Sequence, residues 1–222
     1  MQALNALLLW VDDNSIIALN YIGQQNVYDF EVEEYHNYCL AGLVHHNSEG
    51  IGGYETTLHL TGEYPSWWEG KRFTSPIKAW CCGDTGKTVR DINQLKLLGP
   101  PGAFGTGLLP GDSIVHVASK PGVPDAVETV RVKHISGGES LVQFKSYDQS
   151  RLAYQGTEQH LIWLDEEPPA DIYTECVMRT TQTPWFPGGI ILCTFTPLSG
   201  ISDVVLMFLP GGKIGADEPF IP

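Results

Sequence analysis

At 222 residues the chain has room for one medium domain, or for a small one and a medium one. An apolar content of 42% against 18% charged residues excludes a disordered chain, and no apolar run is long enough to span a membrane. The net charge of −13 argues against a surface that grips nucleic-acid phosphates tightly by itself.

The charge is unevenly spread. Residues 1–47 hold six of the 26 acidic side chains (Asp12, Asp13, Asp29, Glu31, Glu33, Glu34) and none of the 13 basic ones. That shift in composition places a boundary near residue 47. The five cysteines (Cys39, Cys81, Cys82, Cys176, Cys193) have neither metal-ligand nor disulfide-scaffold spacing, so they read as reduced core thiols.

In chain order, residues 3–11 are apolar but too short for a span and lack the basic flank of a signal peptide. Residues 15–19 and 27–32 read as strands, with Gly23-Gln24-Gln25-Asn26 as the turn between them. Residues 36–40 and 42–46 read as two more short strands. This β-rich stretch is too small to carry a full core.

Beyond Ser48 the pattern changes. Residues 49–60 read as a helix with a glycine-rich first turn, followed by an aromatic turn at Tyr64-Pro65-Ser66-Trp67-Trp68. Residues 77–82 read as a strand. Residues 88–98 read as a helix with its apolar face at Val89, Ile92, Leu95 and Leu98. A Gly/Pro-rich loop at 99–111 precedes strands at 113–117, 127–134, 140–144, 160–164 and 189–194. Strands alternating with helices suggest a largely parallel α/β sheet.

Two sets of motifs carry chemistry. The first is Gly23-Gln24-Gln25-Asn26-Val27-Tyr28-Asp29, then His36-Asn37-Tyr38, then His46-Asn47-Ser48. Each piece alone is commonplace; a histidine pair is more often a surface feature. In this order and spacing they resemble the C-terminal end of an intein, a Hint-type self-excising segment. The resemblance implies roles for each matching residue. Ser48 takes over the upstream segment by attacking its ester or thioester. Asn47 then closes its side-chain amide onto its own carbonyl and breaks the Asn47–Ser48 bond. His46 and His36 move the protons, and Asp29 tunes the site. An intein also needs an N-terminal part with a Thr-x-x-His element, and residues 1–47 contain no threonine. A C-terminal split-intein segment, splicing in trans with an N-terminal fragment, is therefore expected; a truncated reading frame is the alternative.

The second set is Gly53-Tyr54-Glu55 … His59-Leu60-Thr61-Gly62, Thr88-Val89-Arg90-Asp91, Phe144-Lys145-Ser146-Tyr147-Asp148-Gln149, Trp163-Leu164-Asp165-Glu166-Glu167-Pro168-Pro169 and Thr194-Phe195-Thr196-Pro197. Over nearly all of residues 48–222 these resemble the ATPase domain of phage terminase large subunits. The resemblance implies an α/β P-loop NTPase of the ASCE type, lacking its Walker A strand, behind the β-rich Hint fragment. Asp165-Glu166 would be the Walker B pair: Asp165 on Mg²⁺, Glu166 on the attacking water. Thr194 and Thr196 would sense the nucleotide, and Ser48 would become a Mg²⁺ ligand after splicing. The glycine and lysine that precede the P-loop serine are replaced by His45-His46-Asn47. Gly83-Asp84-Thr85-Gly86-Lys87-Thr88 lacks the correct glycine spacing and reads as an ordinary strand-to-helix turn.

The expected cofactors are ATP and Mg²⁺ for the assembled ATPase and none for splicing. The expected partners are the N-terminal intein/terminase fragment and, afterwards, double-stranded DNA, portal, small terminase subunit and a homo-oligomeric ring, with no membrane. The expected location is the cytoplasm of an infected bacterium. Arg151 lies nearest the Walker B-like strand as an arginine finger, with Arg90 and Arg179 as rivals. Two other readings stand beside this one. One is a Hint protein that cleaves without ligating; the other is a non-catalytic motor fragment.

Overall fold

The computed structural model describes residues 3–12, 15–26, 38–40, 43–45, 48–195 and 202–208, with side chains from residue 49 onward. The chain divides into two compact units, Met1–Asn47 with Leu209–Pro222, and Ser48–Phe208.

In the first unit, β1 (Ala3–Asp12) pairs antiparallel with β2 (Ser15–Asn26). The expected turn at residues 23–26 is therefore strand: Asn26, Gln25 and Gln24 sit opposite Ala3, Leu4 and Asn5. The apolar run at 3–11 supplies a partner strand that periodicity in residues 15–32 alone could not reveal. A second two-stranded sheet joins β3 (Tyr38–Leu40) to β4 (Leu43–His45). The expected strand at 27–32 lies outside the described residues.

The second unit opens with α1 (Ser48–Thr61), followed by β5 (Lys78–Gly83). Next comes a continuous helical segment: α2 (Gly86–Thr88), a π-helical turn (Val89–Gln94) and α3 (Leu95–Leu98). Strands β6 (Ile114–Ser119), β7 (Val127–Lys133), β8 (Glu139–Ser146) and β9 (Leu161–Asp165) come after it. Helix α4 (Ala170–Thr180), β10 (Ile190–Thr194) and α5 (Asp203–Met207) complete it. The six-stranded sheet has the order β10-β9-β5-β8-β7-β6.

That sheet is mixed, not largely parallel. β10, β9, β5 and β8 run parallel, while β8, β7 and β6 form an antiparallel meander. Chain length between strands decides this. The short β7–β8 connection turns through Gly137 and Gly138, both at positive φ, and a tight hairpin can only join antiparallel strands. The parallel strands are linked by crossovers of helix and loop.

Helices cover both faces of the sheet. On one side Leu60 of α1 and Leu97 and Leu98 of α3 pack with Cys81, Val130, Val142, Phe144 and Trp163. On the other, Ile172 and Cys176 of α4 pack with Trp80, Cys82, Tyr154 and Ile162. Cys81, Cys82 and Cys176 are buried free thiols and Cys193 is half-buried; burial raises the thiol pKa of each.

Helix α1 carries no clean apolar stripe because most of its surface is covered. His59 is enclosed by Tyr64, Trp68 and Phe73 at ring-centroid distances of 5.2–5.9 Å. The aromatic turn seen in the sequence thus clamps the end of α1. Gly62, at φ 73°, closes the helix by donating its N–H to Leu58 O.

The π-turn splits the expected face of the helix at 88–98: Val89 and Leu98 are buried as expected, Ile92 and Leu95 are not. A π-turn adds a residue to the repeat and so rotates every later side chain about the helix axis. Ile92 and Leu95 are left 36% and 45% exposed, while Asn93 and Gln94 are 1% and 4% exposed. Gln94 spends its amide on both backbone groups of Val127. Asn93 points to the carboxyl end of β9.

Candidate active site

Strand β9 is buried along its whole length, and at its carboxyl end the chain places an aspartate, Asp165, only 4% exposed. Burying a carboxylate is costly unless donors meet it. Here two do: Thr194 Oγ1 donates to Oδ1 at 2.7 Å and Asn93 Nδ2 to Oδ2 at 2.9 Å. Thr194 is itself held by the indole N–H of Trp163 at 2.7 Å. A relay from Trp163 through Thr194 to Asp165 therefore ties β9 to β10.

Glu166 takes φ 64°, a left-handed value that is strained for a residue with a side chain. Its own N–H donates to Thr194 O at 3.0 Å. The buried Tyr147 hydroxyl lies 2.9 Å from Asp165 O and 3.1 Å from Glu166 O. These contacts hold the sharp turn that separates a buried Asp165 from an exposed Glu166.

A third carboxylate joins them. Glu49, in the first turn of α1, is 8% exposed, and its Oε2 has no hydrogen-bond partner among the described residues. Burial pushes Asp165 up to about 6, partly offset by its bonds to Thr194 and Asn93, with Glu49 and Glu166 adding repulsion. Glu166 is raised too, by desolvation and then by Glu49 and Asp84. The site is an oxygen-rich, negatively charged edge whose charges repel one another.

Helix α1 packs this closely on β9 because Gly52 has no side chain. A Cβ at Gly52 would collide with the Trp163 indole, Cζ2 at 2.7 Å among the atoms it meets. The glycine-rich start therefore serves close helix–sheet approach.

Of the expected site residues, the structure brings Asp165, Glu166 and Thr194 together. Ser48 begins α1, with its side chain outside the described residues. Asp29, His36, His46, Asn47 and Thr196 also lie outside them. Residues 83–88, which lack the glycine spacing of a phosphate loop, join the end of β5 to α2. Thr85 and Thr88 cap each other's backbone N–H, and Gly86 N–H donates to Asp148 Oδ2 at 3.3 Å.

The sequence missed Asn93, Tyr147 and Glu49. Asn93 was hidden by the π-turn. Tyr147 lies inside a matching motif and Glu49 outside all of them, and nothing in their spacing marks either as facing Asp165.

Among the three arginines, Arg90 is paired with Asp91 at 2.7 Å. Arg179 is held by Glu175 at 3.1 Å and by Gly156 O at 3.0 Å. Arg151 is exposed at the head of a short 3₁₀ turn and makes no hydrogen bond or ion pair among the described residues.

Hard oxygen donors suit Mg²⁺: Asp165 is oriented by two donors, and Glu49 adds an unpaired buried oxygen beside it. Among the described residues, no group of three or more His, Cys, Asp or Glu is arranged to hold a metal unaided.

Comparison with known proteins gives the family. Residues 51–213 match the family model described as terminase large subunit, T4likevirus-type, N-terminal. The chain is 37% identical over 178 residues to the terminase large subunit of Salmonella phage P22, covering 71% of this chain and 35% of that protein. The chain thus spans about a third of the length of this relative. No solved structure matches. The six-stranded α/β sheet is compatible with an ATPase-like domain of such proteins. The chain belongs to the terminase large subunit N-terminal family.

Proposed function

We propose that this chain is a splicing precursor of a terminase large subunit, the ATP-driven component of a DNA-packaging motor. Residues 48–222 are the partial ATPase domain, and residues 1–47 are the C-terminal intein segment that joins it to an upstream fragment. The observation that carries the ATPase reading is Asp165, fixed at the carboxyl end of β9 by Thr194 and Asn93, with the strained Glu166 beside it. Support for the splicing reading is the order His36, His46-Asn47-Ser48, placed directly before the family match at residue 51.

Bound ATP with Mg²⁺ would supply the phosphoryl group and the positive charge needed for its transfer to water. Asp165 and Ser48 would hold the ion, and Thr194 would keep the Asp165 carboxylate turned toward it. Glu166 would accept a proton from the attacking water on its carboxylate. Thr194 and Thr196 would pass the state of the site to β10. DNA, portal, small terminase subunit and neighbouring copies in a ring would be the partners, in the cytoplasm of the infected host.

Intact-mass analysis tests the splicing reading. Incubated with an N-terminal fragment carrying the intein start, the chain is expected to lose residues 1–47 and gain the upstream segment. Asn47→Ala is expected to abolish release of the intein. Release without a ligated product would favour a Hint cleavage protein instead. The chain alone is expected to show no steady ATP turnover, because the P-loop lysine lies in the other fragment.

Arg151 has no hydrogen-bond or ion-pair partner among the described residues, so it is proposed to act on the nucleotide of a neighbouring copy. In the assembled ring, Arg151→Ala is expected to lower kcat roughly 10³-fold or more while leaving the unfolding midpoint unchanged. An unaltered kcat would move the role to another residue.

A further inference from the structure

The turn Thr85-Gly86-Lys87 takes no part in holding Asp165, yet it walls a cavity of its own, about 310 Å³ in volume. The cavity opens at the carboxyl ends of β5 and β8, the end of a parallel strand pair at which α/β sheets commonly take ligands. Lys120, in the β6–β7 turn, stands on its far side. Val89, Val127 and Phe144 give it a buried apolar wall.

Its charge runs against that of the chain. Four of the 13 basic side chains border it, Lys87, Arg90, Lys120 and Lys145, but only one of the 26 acidic ones, Asp148. Asp148 is already engaged: its Oδ1 accepts from Ser146 Oγ and its Oδ2 from Gly86 N–H at 3.3 Å. Asp125 and Glu128 act on Arg90 and Lys145 from nearby, but neither lines the cavity.

Not all of these cations are free to meet a ligand. Lys145 donates to Ala153 O at 2.6 Å and lies 4.7 Å from the Trp80 ring centroid, so it is committed elsewhere. Arg90 gives Nε and Nη2 to Asp91 and keeps Nη1. Lys87 and Lys120 have no hydrogen-bond or ion-pair partner among the described residues. The turn's backbone offers little, because the N–H groups of Thr85, Gly86 and Thr88 are all taken within the chain.

We infer that this cavity is a second anion site, separate from Asp165, and that it takes a phosphate group carried on a sugar. Lys87 and Lys120 meet the phosphate oxygens, with Arg90 Nη1 as a third donor. The sugar lies along Val89, Val127 and Phe144. The volume is at the small end for ligand sites, which suits a sugar phosphate better than a large cofactor. Two sources carry that group, a DNA backbone and a free nucleotide. The expectation that DNA is the source rests on the motor reading; the site rests on the cavity alone.

Fluorescence anisotropy on the full chain at low salt tests it, with a short labelled DNA duplex and labelled AMP as probes. The double variant Lys87→Gln, Lys120→Gln is expected to weaken binding roughly tenfold or more. For the duplex it is also expected to flatten the slope of log affinity against log salt by about 2. Lys78→Gln, an exposed lysine at the amino end of β5, is expected to change affinity less than about twofold. Asp148→Asn is expected to bind several-fold tighter, because it removes the one anion of the lining and keeps an oxygen for Gly86. A gain of that kind cannot come from misfolding.

Binding of the duplex without AMP makes the backbone the source. Binding of AMP without the duplex leaves the site standing and counts against the motor reading's DNA partner. A loss from Lys78→Gln as large as that of the double variant would overturn the inference, since diffuse surface charge would explain it. Binding of neither probe would overturn it too. So would capture of polyglutamate as tight as that of the duplex, because charge would then suffice without phosphate.

Discussion

Asp165→Asn is expected to raise the unfolding midpoint at about pH 8 and to leave it unchanged near pH 4. Burial, with the nearby Glu49 and Glu166, holds this carboxyl up at about 6 in the folded chain, against an ordinary value near 3.8. A group whose folded pKa is raised binds its proton more tightly when folded. The folded state is therefore favoured below the unfolded pKa, and that advantage is lost as pH rises through the window from about 4 to about 6. Above it the ionised side chain opposes folding by about 1–3 kcal/mol, an upper range set by the shift itself. Asparagine keeps an acceptor for the Asn93 amide and carries no charge. The same substitution is expected to cut ATP turnover of the assembled protein by more than roughly 10²-fold, because the ion loses its anionic ligand. Thermal denaturation across this pH range, followed by tryptophan fluorescence, is the measurement. A midpoint that falls at high pH would show that Asp165 is stabilised as a carboxylate, contrary to the burial argument.

Together these two outcomes would set stability against activity at one residue, a mark of a functional site. The sequence made that residue legible because an apolar run ending in Asp165-Glu166 is a local pattern. Strands β5, β8, β9 and β10 and helix α1 were legible for the same reason. What could not be read depended on partners distant in sequence. β2 extends through Asn26 because β1 lies opposite. Asn93 reaches Asp165 because a π-turn rotates a helix whose apolar spacing pointed elsewhere. Tyr147 steadies the turn at Glu166 from a strand end 19 residues away. Alternation of strands and helices suggests a largely parallel sheet, but the hairpin at Gly137 and Gly138 makes β7 and β8 antiparallel.

Gly52→Ala separates close approach from helix propensity. Alanine in place of a helical glycine ordinarily stabilises by about 1 kcal/mol. At Gly53 that gain is expected to survive largely intact, because the new methyl would crowd the Cδ1 tip of Leu108, at 2.7 Å, which can turn aside, and would meet Leu97 and Trp163 at an ordinary 3.8 Å. At Gly52 the methyl meets the Trp163 ring, which is fully buried and fixed by its bond to Thr194. The ring cannot move without breaking the relay to Asp165, so α1 must lift instead. Overpacking of this kind typically costs about 1–3 kcal/mol, enough to outweigh the propensity gain. Gly52→Ala is therefore expected to lower the unfolding midpoint and alter Trp163 emission, while Gly53→Ala leaves both near the parent values. Equal behaviour of the two variants would mean that α1 is not held against Trp163. A lowered midpoint for Gly52→Ala alone would assign this glycine to the spacing that lets Glu49 stand beside Asp165, which no side chain at that position permits.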